Sequence, residues 1–146
     1  MKIVIANDHG ALDLKKEILA YLSVNGHDVT NLGIDNDGSV DYPDMAEKAA
    51  LEYKKGGYDF GILLCGTGIG ISIAANKIDG IRCALPQNSF AAEMAKVHNN
   101  ANFIAFGGRI VYEEKVTDLL ESFINASFEG GRHALRVEKI MALEKK

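Results

Sequence analysis

The chain has 146 residues, 47% of them hydrophobic and 25% charged, with 16 basic against 20 acidic side chains and a net charge of −4. That length suits one domain, expected over residues 1–146, able to bury roughly 70% of its unfolded surface, and the composition excludes a disordered or fibrous chain. The mild acidity argues against nucleic-acid or anionic-membrane binding, two cysteines make no disulfide framework, and apolar runs of a few residues exclude a spanning helix, so a cytoplasmic protein is expected.

Short β-rich runs alternate with segments of helical period. Lys2–Ala6 opens the chain as a strand and runs into Asn7-Asp8-His9-Gly10. Ala11, Leu14, Ile18, Tyr21 and Leu22 form the apolar stripe of a first helix, which Gly26 stops. A second strand covers Asp28–Leu32. Pro43-Asp44 opens a second helix ending near Gly56-Gly57. Phe60–Leu64 is apolar without alternation, the pattern of a strand buried on both faces. A third helix starts at Gly70 and passes through Ile73 and Asn76. Arg82–Leu85 and Asn102–Phe106 are the last strands, with a helix over Ser89–Val97 between them. Glu113–Phe128 and Arg132 to about Leu143 complete the helices, separated by Gly130-Gly131. This alternation predicts βαβ units, a parallel sheet and helices on both faces. A ligand then lies beyond the carboxyl ends of the strands, which directs attention to the loops after each strand.

Cys65-Gly66-Thr67-Gly68-Ile69-Gly70 is the strongest local signal. Glycines let the backbone approach a ligand, and free N–H groups at a helix start attract an anion beside a reactive thiol. A buried structural cysteine in a glycine turn would look the same. A P-loop is excluded because Ile71, not Lys, follows Gly70, and no Arg follows Cys65 to close a phosphatase-type loop. Asp8-His9 suits either a functional pair or a helix cap. His98 suits a general acid/base or a histidine on the dipole of its helix. Arg109 follows the fifth strand. Arg132 and Arg136 share one helix face, which serves phosphate binding as readily as a solvated surface pair. The four histidines, with His27 and His133 unpartnered, show no metal-ligand spacing, so no metal is expected.

Taken in order, Asp8-His9, Asp41-Tyr42-Pro43-Asp44, Cys65 to Gly70 leading to Ser72-Ile73-Ala74-Ala75-Asn76-Lys77, Gly80-Ile81-Arg82, His98-Asn99 with Ala101-Asn102, and Phe128-Glu129-Gly130-Gly131-Arg132-His133 form one pattern. From about Lys2 to about Ile140 the chain resembles the sugar-phosphate isomerases of the ribose-5-phosphate isomerase B and galactose-6-phosphate isomerase group, and within it the type B ribose-5-phosphate isomerases. The resemblance implies a three-layer, Rossmann-like α/β/α fold with a five-stranded parallel sheet in order 2-1-3-5-4 and a C-terminal helix. It implies a homodimer or dimer of dimers with sites shared between subunits, and cofactor-free, metal-independent aldose–ketose isomerisation of ribose 5-phosphate and ribulose 5-phosphate through an enediolate.

On that resemblance Cys65 is the base, Thr67 lies beside the reacting oxygens, and His98 serves ring opening. The amides of Gly66, Gly68, Ile69 and Gly70 hold the enediolate. Asp8, Tyr42 and Asn99 bind sugar hydroxyls, and His9, Arg109, Arg132 and Arg136 surround the phosphate. His98, Asn99 and Arg109 are assigned to the neighbouring subunit. Ile71 to Ala75 offers no carboxylate, which favours the cysteine-based members of the group. The chain departs from the group at Asn7-Asp8-His9-Gly10-Ala11 and at Pro86-Gln87-Asn88. Other aldose phosphates therefore stay open as substrates: allose 6-phosphate, galactose 6-phosphate or a four-carbon sugar phosphate. A non-catalytic phosphosugar-binding module is the remaining alternative, and the presence of Cys65, Thr67 and His98 together speaks against it.

Overall fold

The computed structural model describes residues 1–145; Lys146, the last residue of the expected domain, lies outside them. Five strands, β1 (Lys2–Asn7), β2 (Asp28–Asn31), β3 (Phe60–Cys65), β4 (Cys83–Ala84) and β5 (Phe103–Gly107), form one parallel sheet in the order β2-β1-β3-β5-β4. Six helices flank it: α1 (Leu12–Val24), α2 (Tyr42–Lys54), α3 (Ile69–Ala75), α4 (Ser89–Val97), α5 (Val116–Asn125) and α6 (Arg132–Met141). Every residue of β3 and β5 is buried, as two-sided coverage requires.

Alternate side chains of each strand enter opposite layers. Ile3, Ile5, Ile62, Leu64, Ile104 and Phe106 pack with α1, α4 and α5. Val4, Ala6, Leu63, Cys65, Phe103 and Ala105 face α2 and α3. The Phe103 ring occupies the space a side chain at position 61 would need; a Cβ on Gly61 would lie 2.1 Å from it. Tyr53 meets the same ring edge-on at 5.2 Å.

The sequence reading departs from the structure chiefly at element ends. The strand expected over Arg82–Leu85 is only two residues long, because the Arg82 N–H is taken by the Asn102 side chain at 2.7 Å. The helix expected over Glu113–Phe128 is confined to Val116–Asn125. Glu114 is instead engaged at the start of α4, where its carboxylate accepts from the Ser89 N–H at 3.0 Å and from the Ser89 hydroxyl. Lys115 and Ala126 are extended and bound the helix. The terminal helix stops at Met141 and tightens into a 3-10 turn over Ala142–Lys145. Gly130 and Gly131 carry φ of 70° and 54°, the positive values that reverse the chain into α6.

Candidate active site

The turns after β1, β3 and β5 interlock through glycines. A Cβ on Gly10 would lie 2.7 Å from the Gly66 nitrogen, one on Gly107 2.6 Å from the Thr67 carbonyl carbon, and one on Gly108 2.6 Å from the Ala11 Cα. Backbone bonds complete the contact: Asp8 N–H donates to the Leu64 carbonyl at 3.1 Å, Gly108 N–H to the Cys65 carbonyl at 2.8 Å, and Arg109 N–H to the Gly66 carbonyl at 2.9 Å. The parallel register brings three loop starts to one edge, and absent side chains let them touch.

Cys65 ends β3 and is 4% exposed. Its sulfur accepts the Gly68 N–H at 3.1 Å, which holds Sγ toward the loop. Gly68 has a φ of 76°, and a side chain there would collide with Leu85 and the Phe106 carbonyl. Thr67 is exposed, and its hydroxyl accepts from the Ile69 N–H at 3.3 Å. The Tyr42 ring lies over Gly70, where a Cβ would stand 2.6 Å from it. The Asp8 carboxylate accepts the Gly10 N–H at 2.8 Å, so its helix-capping role is realised at the edge of the Gly66 loop. His9 and Arg109 line a cavity of about 340 Å³ with Lys16 and Asp37. The Arg109 side chain passes over Gly66. Within one chain Arg109 thus lies beside the Cys65 loop, whereas the resemblance assigns it to the neighbouring subunit.

A second group forms elsewhere. His98 closes the C-terminal end of α4, and its ring stacks on His133 of α6 at 4.1 Å with planes 7° apart. Glu129 lies 3.5 Å from His133, and Arg132 Nε–H donates to His133 Nε2 at 3.4 Å. Asn99, Arg132 and Arg136 are exposed around this pair. Burial pushes the His133 pKa down, with His98, Arg132 and Arg136 adding to the shift and Glu129 opposing it.

The topology keeps the two groups apart. The helix between two parallel strands returns antiparallel to them, so the C-terminal end of α4 lies where strands begin, opposite Cys65. Cys65 pairs with Gly107 and Gly61 with Phe103, so these sheet ends are about 13 Å apart at 3.3 Å per residue, and His98 lies beyond the start of β5.

The histidine pair and Glu129 place three ligand atoms within 4.8 Å of one another. Folding thus gives His133 the partner that sequence spacing did not reveal. The stacked rings suit mutual packing better than shared ligation, because lone pairs lie in ring planes and parallel planes cannot both point at one ion. Tyr112 also escaped the sequence reading. Its hydroxyl accepts the Gly107 N–H at 2.9 Å, and burial raises its pKa, with the Cys65 sulfur adding to the rise. Lying past β5 in an irregular segment, it gave no periodic signal.

The Ribose/Galactose Isomerase family matches residues 3–140. Ribose-5-phosphate isomerase B of Escherichia coli (strain K12) is 42% identical over 99% of this chain and 97% of its own. A D-erythrulose-4-phosphate isomerase of Pectobacterium atrosepticum is 43% identical over 96% of this chain and 93% of its own. Among solved structures, Clostridium thermocellum ribose-5-phosphate isomerase B superposes with a TM-score of 0.95 at 48% identity, covering 99% of this chain and 98% of that one.

Proposed function

The chain belongs to the Ribose/Galactose Isomerase family, and from that premise we propose that it is an aldose–ketose isomerase of sugar phosphates, interconverting ribose 5-phosphate and ribulose 5-phosphate. The observation that carries the reading is the Cys65 sulfur at the end of a buried strand, facing a loop of backbone amides. Moving a proton between C1 and C2 requires a base over an acidic carbon and donors for the oxyanion that develops. Cys65 takes the C2 proton of the open aldehyde. The amides of Gly66 and Gly70, joined by those of Gly68 and Ile69 as they leave the Cys65 sulfur and the Thr67 hydroxyl, hold the enediolate oxygens with the Thr67 hydroxyl beside them. The hydroxyl proton passes from O2 to O1, and the proton on Cys65 goes to C1. His98 moves the proton that opens the sugar ring. Asp8, Tyr42 and Asn99 hold sugar hydroxyls, while His9, Arg109, Arg132 and Arg136 surround the phosphate.

The separation of the two residue groups supports a homodimer, or a dimer of dimers, in which the Cys65 edge of one copy faces the His98 group of another. Two-fold symmetry then builds two equivalent sites. No metal enters these steps, and the whole chain acts as one domain. Cys65 and Cys83 are both free, in keeping with a reducing, cytoplasmic compartment. Among the described residues no helix is long and apolar enough to cross a membrane.

A four-carbon aldose phosphate is the second reading, favoured by the likeness to the erythrulose-phosphate isomerase. The decisive assay offers the purified chain aldose phosphates of four, five and six carbons, with a strong chelator present, and measures ketose. Fastest turnover of ribose 5-phosphate supports the reading. A preference for another length reassigns the substrate, absence of ketose overturns the isomerase reading, and loss on chelation restored by a divalent ion overturns metal independence.

A further inference from the structure

Asn100 is the non-glycine residue with a positive φ, 45°, among the described residues, and it immediately follows His98-Asn99. A residue with a Cβ adopts that conformation at a cost and needs its surroundings to hold it. The end of α4 supplies part of the hold: Asn100 N–H donates to the Lys96 carbonyl at 3.1 Å and Ala101 N–H to the Ala95 carbonyl at 3.0 Å.

Arg82 supplies the rest. Its Nε–H and Nη2–H both donate to the Asn100 carbonyl, at 3.1 and 2.8 Å. Nη1–H reaches Met141 Sδ at 3.2 Å, at the end of the helix that carries Arg132, His133 and Arg136. The backbone of Arg82 grips the same segment. Its N–H donates to Asn102 Oδ1 at 2.7 Å, and its carbonyl accepts from Asn102 and Phe103 at 3.1 and 3.2 Å. Among the described residues this guanidinium forms no ion pair within 4 Å. Half-burying a cation against a neutral carbonyl is poorly repaid as stabilisation, but it fixes one turn relative to one helix.

We propose that Arg82 is a positioning residue: it sets the His98–Asn99 turn and locks it to α6, holding the half of the site that meets the Cys65 edge of another copy. The proposal rests on the ring-opening role given to His98, but its geometry can be tested without activity. The chain has four histidines, so each C2–H resonance can be assigned in full-length protein, His98 with the aid of His98→Asn. Stacked at 4.1 Å, His98 and His133 each lie in the ring current of the other. Arg82→Gln is expected to shift those two resonances and leave His27, which lies against the N-terminus, unchanged. Arg82→Lys, which keeps the charge and a single donor direction, is expected to shift them less, and it decides the matter if Arg82→Gln does not fold.

The kinetic readout compares directions. A ribose 5-phosphate ring must open before reaction, whereas ribulose 5-phosphate cannot close a five-membered ring because its C5 oxygen is esterified. Arg82→Gln should lower turnover of the aldose by about ten- to a hundredfold, the scale of a small misplacement, and turnover of the ketose by less. Unmoved His98 and His133 resonances overturn the proposal. So do equal losses in both directions accompanied by a lower melting temperature, which would mark Arg82 as structural only. An inactive wild-type protein would overturn the isomerase reading while the resonances still decide the role of Arg82.

Discussion

Mixing two inactive variants should restore activity. Cys65→Ala removes the proposed base and His98→Asn the proposed ring-opening group. These residues lie at opposite ends of one sheet, about 13 Å apart along β5 alone, with His98 further on. No rotamer spans that distance, so within one chain they cannot act on the same sugar carbons. In a two-fold dimer each site takes Cys65 from one copy and His98 from the other. A mixed dimer then holds one site with both residues intact and one lacking both. Random reassociation makes half of the dimers mixed, so the mixture should recover about a quarter of wild-type specific activity, whereas each variant alone stays near background. The assay is ketose formation after the two variants are unfolded together and refolded, with each variant refolded alone as control. Recovery that stays at background, when wild-type protein survives the same treatment, would refute the shared site and require both residues to serve one chain.

Cys65→Ala should lower kcat by about a hundred- to ten-thousandfold, the scale of a positioned base, with KM little changed; near-normal turnover would make the thiol structural. Arg132→Ala and Arg136→Ala should each raise KM for the phosphorylated sugar by about ten- to a hundredfold, since a charge-assisted bond contributes roughly 1.5–3 kcal/mol, and should hardly affect slow turnover of free sugar. Equal losses on both substrates would mean that α6 supports the fold and does not read the phosphate. The lowered pKa of His133 means that the unfolded chain binds its proton at higher pH than the native one. This residue's contribution to stability is therefore complete above the ordinary histidine value of about 6.5 and declines as pH falls through it toward the lowered native value. Melting temperatures taken above and below that value should differ less in His133→Gln than in wild type; an unchanged difference would remove His133 as the cause.

Local pattern carried most of the fold. The alternation of apolar runs with helical stripes located five strands and six helices, because burial on two faces leaves runs such as Phe60–Leu64 without polar interruption. Cys65 to Gly70 was legible as a loop of close approach because its glycines leave room for neighbours, visible in the Phe106 backbone that a Cβ would strike at Gly68 and the Tyr42 ring that one would strike at Gly70. Element ends were less legible. Glu114 has helix propensity, but its carboxylate is used on Ser89, 25 residues away, and nothing within its own segment announces that contact. The grouping of the candidate residues belonged wholly to tertiary structure. Chain order places Arg109 nearer to His98 than to Cys65, yet parallel register carries it over Gly66, while the antiparallel return of α4 sends His98 to the far edge. His133 and His98 are 35 residues apart and meet because the Gly130-Gly131 reversal lays α6 against the end of α4. Periodicity and turn chemistry act over a few residues and can be read along the chain; which loops share an edge depends on strand order and register, and those are decided only when the whole sheet is paired.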